Sequence, residues 1–543
     1  MWSDRIEQTK KMRLQHQAGG GPQRVERQHA KGKMTALERV EYLLDEGSFH
    51  PVNSFFQTRE DSASLLNGKT FLGDGVVTGW GTIHGRKVCV AAEDFTVIGG
   101  TLGEIHAQKI CNVQDLAFDM KVPIILLNDS GGARIEEGIL SLSGYGGMFQ
   151  RHVRASGVIP QIAAILGPCS GGACYSPALC DFVYMVKGMS QMCLTGPVGV
   201  ESVLGIRTTI DELGGTAVHG EKSGVANMIC ENEQECLDSI RTLLTYLPQN
   251  CSSEAVRENA ELHKCFVQQP NTGVYTGLQH HLEDILQKAY RPIETVPFEE
   301  IVPDNPRYAY DIHRVIDGIL QNDSFFEIHR SFAQNAVVGL GIFDGRVLGI
   351  VANQPAFLGG SIDYNAADKM ARFIRFCDCF GIPLLTLVDV PAFMPGPEQE
   401  QNGIIRHGAK ILYAYSEATV PKVTLILRKA YGGAFIAMNC KMMSADMVYA
   451  WPIAEIAVMG ADGAVKIINR RQIEAAEDPQ QEYERLKQAY EERFSNPFVA
   501  AEKGYVDEII LPEETVERLK ETFELLEKKD VEPFAKKHGN IPL

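Results

Sequence analysis

The chain has 543 residues, of which 45% are hydrophobic and 22% are charged, as expected for a globular protein with large cores. Its formal net charge of −17 argues against a surface for nucleic acid or for an anionic membrane, although a local group of cations can still bind an anionic ligand. The 13 cysteines include no C-x-x-C pair, which argues against a zinc ribbon and favours free thiols in a reducing compartment.

Residues 1–50 are predicted to be mainly helical, with a break at the three glycines 19–21 and a stop at Gly47. The N-terminal stretch is charged from Asp4 onward and lacks the apolar segment of a secretory signal. No run of 18 apolar residues occurs that would predict a membrane-spanning helix. We therefore expect a cytoplasmic bacterial protein rather than a mitochondrial one.

The pattern of residues 73–129 returns at residues 337–389. Each copy has two short apolar runs around a turn, His84-Gly85 or Asp344-Gly345, and then a helix and a continuous apolar strand. The offset is 260 for Gly100/Gly360, Lys109/Lys369, Pro123/Pro383 and Asp129/Asp389, and 261 for Pro160/Pro421 and Gly171/Gly432. The sequence therefore predicts an α/β fold of two tandem domains related by an internal repeat.

The region between the copies is polar and interrupted by proline and glycine. We predict an N-terminal domain at 1–255, a linker at 256–300 that contains a helix at 277–290, and a C-terminal domain at 301–543. Residues 514–530 predict an amphipathic helix near the C-terminus.

Each copy ends in a Gly-Gly-Ala turn, Gly171-Gly172-Ala173 in the first and Gly432-Gly433-Ala434 in the second. Backbone N–H groups at the start of a helix can stabilise a negatively charged oxygen, and removal of one such donor typically costs about 2.7–4 kcal/mol. For a single turn of this kind, tight packing of a strand against a helix is the favoured explanation. Two equivalent turns favour the functional interpretation, in which two oxygens are handled in one reaction.

A third segment, Asn128-Asp129-Ser130-Gly131-Gly132-Ala133-Arg134, follows a buried strand, where α/β sheets usually bind ligands. Its glycines permit close backbone approach, and Arg134 is a candidate contact for a phosphate. The alternative is a plain turn with a solvated arginine. The sequence contains no phosphate-binding P-loop, no G-x-S-x-G nucleophile motif and no metal-ligand spacing, so we expect catalysis by backbone electrostatics without a metal.

Several long segments resemble the carboxyltransferase subunit of biotin-dependent acyl-CoA carboxylases, of the propionyl-CoA carboxylase β and methylmalonyl-CoA decarboxylase α type. They are NDSGGARIEEG, GPCSGGACYSPAL, RKAYGGAFIAMN, YAWPIAEIAVMGADGAV and the terminal HGNIPL, and the similarity runs from Gln28 to Leu543. The resemblance implies two tandem domains of the ClpP/crotonase superfamily and a homohexamer built as a dimer of trimers. It also implies active sites between the N-domain of one protomer and the C-domain of another.

The resemblance also implies roles for individual residues. Gly172 and Ala173 are expected to hold the thioester oxygen of an acyl-CoA, and Gly433 and Ala434 the ureido oxygen of carboxybiotin. The remaining candidates for acyl-CoA binding are Gly131, Gly132, Ala133 and Arg134. The remaining candidates for biotin binding or acyl specificity are Gly432 and Ile436. No biotinylation sequence or ATP-grasp region occurs, so biotin is expected on a separate carrier protein, with a biotin carboxylase or membrane decarboxylase subunits as further partners.

Two departures from the family pattern leave the substrate open. Propionyl-preferring members have Asp where this chain has Ile436, while acetyl-preferring members, decarboxylases and transcarboxylases tend to have an aliphatic residue there. The segment VGVESVLG after Pro197 also differs from the usual DVVK. Three hypotheses remain. The first is carboxyl transfer to propionyl-CoA or acetyl-CoA, and the second is the reverse half-reaction of a decarboxylase or transcarboxylase. The third is a crotonase-type hydratase or hydrolase.

Overall fold

The computed structural model of the chain describes residues 1–59, 70–268, 296–321, 324–532 and 535–542. The described residues form two compact units. The first contains residues 1–259, and the second contains residues 260–268 and everything described from residue 296 onward. The helix Ser253–Gln268 spans this division and begins just before the predicted linker. The helix predicted at 277–290 lies outside the described residues.

The first unit contains an eight-stranded mixed sheet. Its strands are β1 His50–Pro51, β2 Val76–Ile83, β3 Arg86–Glu93, β4 Ile124–Ser130, β5 Gln161–Ser170, β6 Phe182–Val186, β7 Gln191–Cys193 and β8 Met228–Cys230. The order is β1-β2-β3-β4-β5-β6-β8, with β7 paired to the end of β5. The first three strands are antiparallel, and the pairs from β3 onward are parallel.

The second unit repeats this sheet. Its strands are β9 Phe326–Ile328, β10 Ala336–Phe343, β11 Arg346–Asn353, β12 Leu384–Val390, β13 Lys422–Tyr431, β14 Met447–Ala450, β15 Glu455–Ala457 and β16 Glu508–Ile509. The order is β16-β14-β13-β12-β11-β10-β9, with β15 paired to the end of β13. Again the hairpin side is antiparallel and the remainder is parallel.

Helices flank both sheets. In the first unit they are Trp2–Gln17, Pro22–His29, Ala36–Leu43, Glu104–Met120, Ile139–Ala155, Tyr175–Ala178, Pro197–Leu204, Ile210–Gly214 and Glu233–Tyr246. In the second they are Phe298–Ile301, His313–Ile319, Tyr364–Cys379, Pro397–Gln401, Ile404–Glu417, Gly432–Ala437, Ala461–Ile468, Arg470–Ala475, Pro479–Phe494, Pro497–Glu502 and Thr515–Leu525. The α/β class and the C-terminal helix agree with the sequence prediction. The third helix ends at Leu43, four residues before the predicted stop at Gly47.

The internal repeat holds at the level of backbone conformation. Strands β2, β3 and β4 begin and end 260 positions before β10, β11 and β12, and β5 lies 261 positions before β13. Both residues of each hairpin turn, His84-Gly85 and Asp344-Gly345, have positive φ, as a two-residue turn between twisted strands requires.

The central strands are buried on both faces, as their continuous apolar sequences predict. Every residue of β4 and of β12 is buried. The helices Glu104–Met120 and Tyr364–Cys379 each place a buried lysine against the preceding hairpin. The ammonium group of Lys369 donates to the carbonyl oxygens of Phe332 and Ala336, at 2.8 Å and 2.7 Å, and that of Lys109 binds the carbonyl oxygens of Gly73 and Val76.

These two lysines are largely removed from water. Desolvation by burial lowers the pKa of Lys109 to about 7 and that of Lys369 to about 8, opposed in each case by nearby carboxylates. The two lysines are the matched pair at an offset of 260 in the sequence. In each unit the lysine connects the helix to the hairpin through hydrogen bonds to backbone carbonyl groups. In the part of the chain that the structure describes, no helix is both long and apolar enough to cross a membrane.

The interaction of His313 with two carboxylates in the second unit depends on pH. His313, at the start of the helix His313–Ile319, binds Asp311 through Nδ1 at 2.7 Å and Glu327 of β9 through Nε2 at 3.1 Å. The hydrogen bond with Glu327 raises the pKa of His313 to about 9, against the opposing effect of burial. Since the folded pKa lies above the unfolded value, the stabilisation is complete below about pH 6.5 and is lost as the pH rises through about 9.

We therefore expect His313→Gln to destabilise the protein at pH 6 by about 1–2 kcal/mol, a value reduced for the partial exposure of the side chain. The difference from wild type should become small at pH 9.5. Calorimetric unfolding of both proteins at pH 6, 8 and 9.5 measures this difference, and a deficit that is the same at all three values would contradict the prediction.

Candidate active site

The first Gly-Gly-Ala turn directly follows β5. Residues Gly171–Cys174 form a short 3₁₀ helix that continues into the helix Tyr175–Ala178. Gly171 has φ of +63°, which allows the chain to turn sharply from strand into helix. The first N–H groups of a helix have no acceptor within it, and here no side chain caps them. The turn therefore presents backbone donors rather than side chains.

The second turn has the same construction after β13. The helix Gly432–Ala437 begins at Gly432, whose φ is +57°, and no side chain caps its N-terminus. Gly433 is exposed, and Ala434 is buried beneath the turn. Ile436 lies in the same helix with 44% of its surface exposed. The residues predicted for the biotin side therefore share one short helix.

Two of these glycines are required by packing as well. A Cβ atom on Gly172 would lie 2.9 Å from the ring of Tyr145, and one on Gly432 would lie 2.9 Å from the carbonyl oxygen of Val458. Any side chain there would displace the turn or its neighbour. The packing explanation considered from the sequence therefore applies to both glycines, and such close packing is compatible with a functional role of the N–H groups, which stays a prediction.

The loop after β4 lies against the first turn. A Cβ atom on Gly132, whose φ is +100°, would lie 2.7 Å from the carbonyl oxygen of Ser170, the residue that precedes Gly171. Gly131 donates its N–H to Gly99 O at 3.0 Å, and Ala133 forms a parallel bridge with Leu102. The predicted residues Gly131, Gly132 and Ala133 are thus brought next to the first turn. The second unit has the same bridge between Ile362 and Phe393.

Arg134 does not have the role of a phosphate contact that the sequence suggested. Its side chain is only 1% exposed, and Nη1 binds the carboxylates of Asp74 at 3.0 Å and Glu137 at 2.6 Å. Nη2 donates to the carbonyl oxygen of Thr101 at 2.9 Å. Two buried carboxylates hold the guanidinium inside the domain, because an unpaired buried charge is costly. Arg134 is therefore a positioning residue for the loop.

The carboxylate at the end of β4 anchors the first site. Asp129 is fully buried, and its Oδ2 atom accepts hydrogen bonds from Arg39 Nη1 at 2.9 Å and Lys33 Nζ at 2.6 Å. Arg39 is itself fully buried and also binds Glu233 Oε1 and the carbonyl oxygen of Leu166 in β5. One guanidinium therefore fixes β4 relative to β5, the two strands that carry the loop and the turn.

Asp389 has the same position in the second unit but a different partner. Its Oδ2 atom is bound by Nε and Nη2 of Arg428, both at 3.0 Å, and Arg428 belongs to the neighbouring strand β13. Burial raises the pKa of Asp389, although the charges of Arg428 and Lys429 oppose this shift. Asp129 and Asp389 are a matched pair in the sequence, but the pattern of the repeat does not identify the cations that bind them. For Asp129, the sequence does contain one signal of its partner: Arg39 lies on the apolar face of the helix Ala36–Leu43.

The carboxylates beside the two turns are already bound. Glu93 accepts the N–H of Asp129 at 3.0 Å, and Glu455 accepts the hydroxyl group of Tyr431, the residue before Gly432. Burial and this hydrogen bond raise the pKa of Tyr431, so its hydroxyl group stays protonated. Over the described ranges, no group of three or more His, Cys, Asp and Glu residues could hold a metal ion.

The buried Arg39 should contribute strongly to stability. We expect Arg39→Met to destabilise the first unit by about 3–5 kcal/mol, because it leaves the charge of Glu233 uncompensated and that of Asp129 half compensated in the interior. Arg207→Met is a matched control, since Arg207 pairs with Glu201 on the surface and its loss should change stability by less than about 0.5 kcal/mol. Denaturant unfolding of both variants tests this, and equal midpoints would contradict it.

Comparison with known proteins identifies the family. The carboxyl transferase domain family matches residues 27–541. The carboxyltransferase subunit of propionyl-CoA carboxylase from Haloferax mediterranei is 49% identical over 540 residues, which cover 99% of this chain and 99% of that protein. The α subunit of methylmalonyl-CoA decarboxylase from Propionigenium modestum is 46% identical over 539 residues, again 99% of each chain.

A solved structure agrees with these relatives. The 12S transcarboxylase, described as a hexamer assembly with methylmalonyl-CoA and methylmalonic acid bound, is 44% identical with a TM-score of 0.90, and the match covers 100% of this chain and 99% of that one. These findings confirm the predicted fold class and the predicted resemblance. The chain therefore belongs to the carboxyl transferase domain family: it is a carboxyltransferase of the biotin-dependent acyl-CoA carboxylase type, folded as two tandem crotonase-like domains.

Proposed function

We propose that the chain moves a carboxyl group between carboxybiotin on a separate carrier protein and the α carbon of a short-chain acyl-CoA, propionyl-CoA or acetyl-CoA. One observation carries the proposal. Two Gly-Gly-Ala turns, 261 positions apart, each begin a helix whose first N–H groups no side chain caps, in a chain of the carboxyl transferase family. A reaction with two oxygens that become negatively charged needs two such sets of donors.

The first turn is assigned to the acyl-CoA. In this assignment the N–H groups of Gly172 and Ala173 bind the thioester oxygen and stabilise the enolate that forms when the α proton leaves. The substrate can approach the backbone of the loop closely at Gly131, Gly132 and Ala133, because none of these residues has a long side chain. Arg134 keeps this loop in place through Asp74 and Glu137.

The second turn is assigned to biotin. The exposed backbone at Gly433, next to the half-buried Gly432, leaves room for a flat ureido group. In this assignment the N–H groups of Gly433 and Ala434 bind its oxygen. When bound, carboxybiotin supplies the carboxyl group, and the ureido group left behind accepts the α proton of the acyl-CoA. The chain itself orients the two oxygens and supplies no general base, which agrees with the engaged carboxylates of Glu93 and Glu455.

The domains follow the same assignment. Residues 1–255 form the acyl-CoA side, residues 256–300 the linker and residues 301–543 the biotin side. We also propose a homohexamer built as a dimer of trimers, supported by the hexamer assembly of the 12S transcarboxylase. A biotin carboxyl carrier protein and either a biotin carboxylase or membrane decarboxylase subunits complete the system. The cytoplasm is the proposed location, because acyl-CoA thioesters are intracellular metabolites.

The reverse half-reaction is the second candidate. A relative with 46% identity is the α subunit of a methylmalonyl-CoA decarboxylase, and Ile436 is an aliphatic residue of the kind that decarboxylases and transcarboxylases tend to have. The chemistry at the two turns is the same in either direction. Neighbouring genes separate the candidates, since a polytopic membrane subunit indicates decarboxylation and a biotin carboxylase indicates synthesis.

The two-turn mechanism predicts the effect of removing a single N–H. Ala173→Pro and Ala434→Pro should each lower kcat for decarboxylation of methylmalonyl-CoA in the presence of free biotin by about 10²–10³-fold. Ala173→Gly and Ala434→Gly retain the N–H and should keep most of the activity. Circular dichroism and thermal unfolding check that the variants fold. Full activity in a folded proline variant would refute the role of that turn.

Ile436 is expected to influence acyl selection. Ile436→Asp should shift the ratio of kcat/KM for methylmalonyl-CoA over malonyl-CoA in favour of the former, by about ten-fold, the scale on which one pocket contact discriminates a methyl group. Ile436→Leu keeps an aliphatic side chain and should leave the ratio within about two-fold. An unchanged ratio in the aspartate variant, with activity retained, would exclude Ile436 as a specificity residue.

A further inference from the structure

A buried histidine lies behind the helix that follows the first Gly-Gly-Ala turn. His152 belongs to the helix Ile139–Ala155, and its two ring nitrogens contact two different elements. Nε2 lies 2.7 Å from Oγ of Ser176, in the helix Tyr175–Ala178. Nδ1 lies 2.7 Å from Oε1 of Gln161, the first residue of β5. One imidazole ring therefore connects the long helix, the start of the strand and the helix behind the turn.

The hydrogen bonds of Gln161 determine which ring nitrogen carries the proton. Nε2 of Gln161 donates to the carbonyl oxygen of His152 at 3.1 Å, so Oε1 faces the ring as an acceptor. The proton of the neutral ring therefore lies on Nδ1 and the lone pair on Nε2. Burial lowers the pKa of His152 and favours this neutral form, although the hydrogen bond with Gln161 opposes the shift. The hydroxyl group of Ser176 consequently donates to Nε2.

A serine that donates to a neutral histidine also occurs in hydrolases, where the serine is the nucleophile. In this chain 1% of the Ser176 surface and 0% of the His152 surface is exposed. An acyl thioester cannot reach a hydroxyl group that is buried in this way. The hydrogen bond is therefore part of the framework behind the turn, and it provides no nucleophile for the crotonase-type hydrolase considered from the sequence.

We propose that His152 is a positioning residue for the first turn, and that it acts through Ser176 on the N–H groups of Gly172 and Ala173. The inference rests on the proposed function, which assigns the thioester oxygen of the acyl-CoA to these two N–H groups. Donors of this kind stabilise a developing charge when their positions are fixed before the reaction. A displacement of about 1 Å at a reacting centre can lower a rate by about 10²-fold.

The helical segment behind the turn needs such a contact because it is short and interrupted. The 3₁₀ helix Gly171–Cys174 and the helix Tyr175–Ala178 contain four residues each. Helices of this length gain little stability from their own hydrogen bonds. Pro177 lies within the segment and has no N–H to donate to the preceding turn. The direction of the segment therefore depends on contacts with the rest of the unit, and Ser176 makes one of them directly after the turn.

The other end of this connection is held firmly. Gln161 accepts the N–H of Asp181 at its carbonyl oxygen and donates its own N–H to the carboxylate of Asp181, both at 2.9 Å. These two bonds close the base of the segment that runs from β5 through the first turn and back. His152 contacts this base through Gln161 and the returning helix through Ser176, so it links the turn to a fixed part of the sheet.

The second unit has alanines at the two matching positions. The helix that contains His152 ends at residue 155 and its counterpart ends at residue 417, which is 262 positions later, so Ala414 matches His152. At the offset of 261 that relates the two turns, Ala437 matches Ser176. Both alanines are buried. The polar connection thus belongs to the unit that is assigned to the acyl-CoA, and the fold of the second unit tolerates an alanine pair in its place.

The test is a cycle of variants in the full-length protein. Ser176→Ala, His152→Ala and the double variant, which copies the alanine pair of the second unit, are compared in the decarboxylation of methylmalonyl-CoA with free biotin. Each single change should lower kcat by about ten-fold, while KM for free biotin, which is assigned to the other turn, should stay within about two-fold. The double variant should lose no more than the weaker single variant, because the two side chains form one contact.

Tyr415→Phe is the matched control, because it removes a buried hydrogen bond of 2.8 Å to Thr386 in the second unit. It should lower the unfolding temperature about as much as Ser176→Ala and keep kcat within about two-fold of wild type. Full activity of Ser176→Ala, an equal loss in the control, or additive losses in the double variant would overturn the inference. If His152→Ala does not fold, the comparison of Ser176→Ala with the control decides.

Hydrogen exchange separates the inference from the proposed function. The N–H groups of Tyr175 and Leu179, which donate to Gly172 and Tyr175, should exchange faster in Ser176→Ala than in wild type. That of Met438, behind the second turn, should be unchanged. Equal exchange at all three in both proteins would overturn the positioning role. If exchange is faster behind the first turn but the wild-type protein decarboxylates no acyl-CoA, the connection stands and the proposed function fails.

Discussion

A buried carboxylate at the end of the central parallel strand is the constraint on which each half of the molecule depends. Asp129 and Asp389 are fully buried, and each precedes the loop that packs against a Gly-Gly-Ala turn. A charge in that position must be paired, and the cation that pairs with it also holds the neighbouring strand. The strands that carry the two turns are therefore held to their neighbours by ion pairs between buried side chains.

The two halves share one backbone fold and differ in the side chains around it. The hairpin turns, the buried lysines and the turn glycines recur at offsets of 260 and 261 with the same conformations. The groups around this frame are specific to each half, with cations on Pro22–His29 in the first and the exposed Ile436 in the second. In the proposed function, the shared backbone presents two oxygen sites, and the side chains around each turn determine which molecule reaches it.

Much of the fold could be predicted from the sequence, because repeated apolar runs and glycine turns are local signals. The hairpins, the helices before β4 and β12 and the two Gly-Gly-Ala turns all belong to this class. The ion pairs could not be predicted in this way. Arg39 and Asp129 are 90 positions apart, and only the folded chain brings them together. Arg134 was misinterpreted for the same reason, since its partner Asp74 lies 60 positions before it.

The source of the cation that pairs with each buried aspartate has a consequence for the order of folding. In the second unit Arg428 belongs to β13, so the strand pair β12–β13 carries its own counter-charge. In the first unit the matching position is Gly167, where a Cβ atom would lie 2.6 Å from Lys33 Nζ, and the cations come from residues 33 and 39. The sheet of the first unit is therefore electrostatically incomplete until the N-terminal segment docks, and a fusion or deletion at that end would act on the distant first turn.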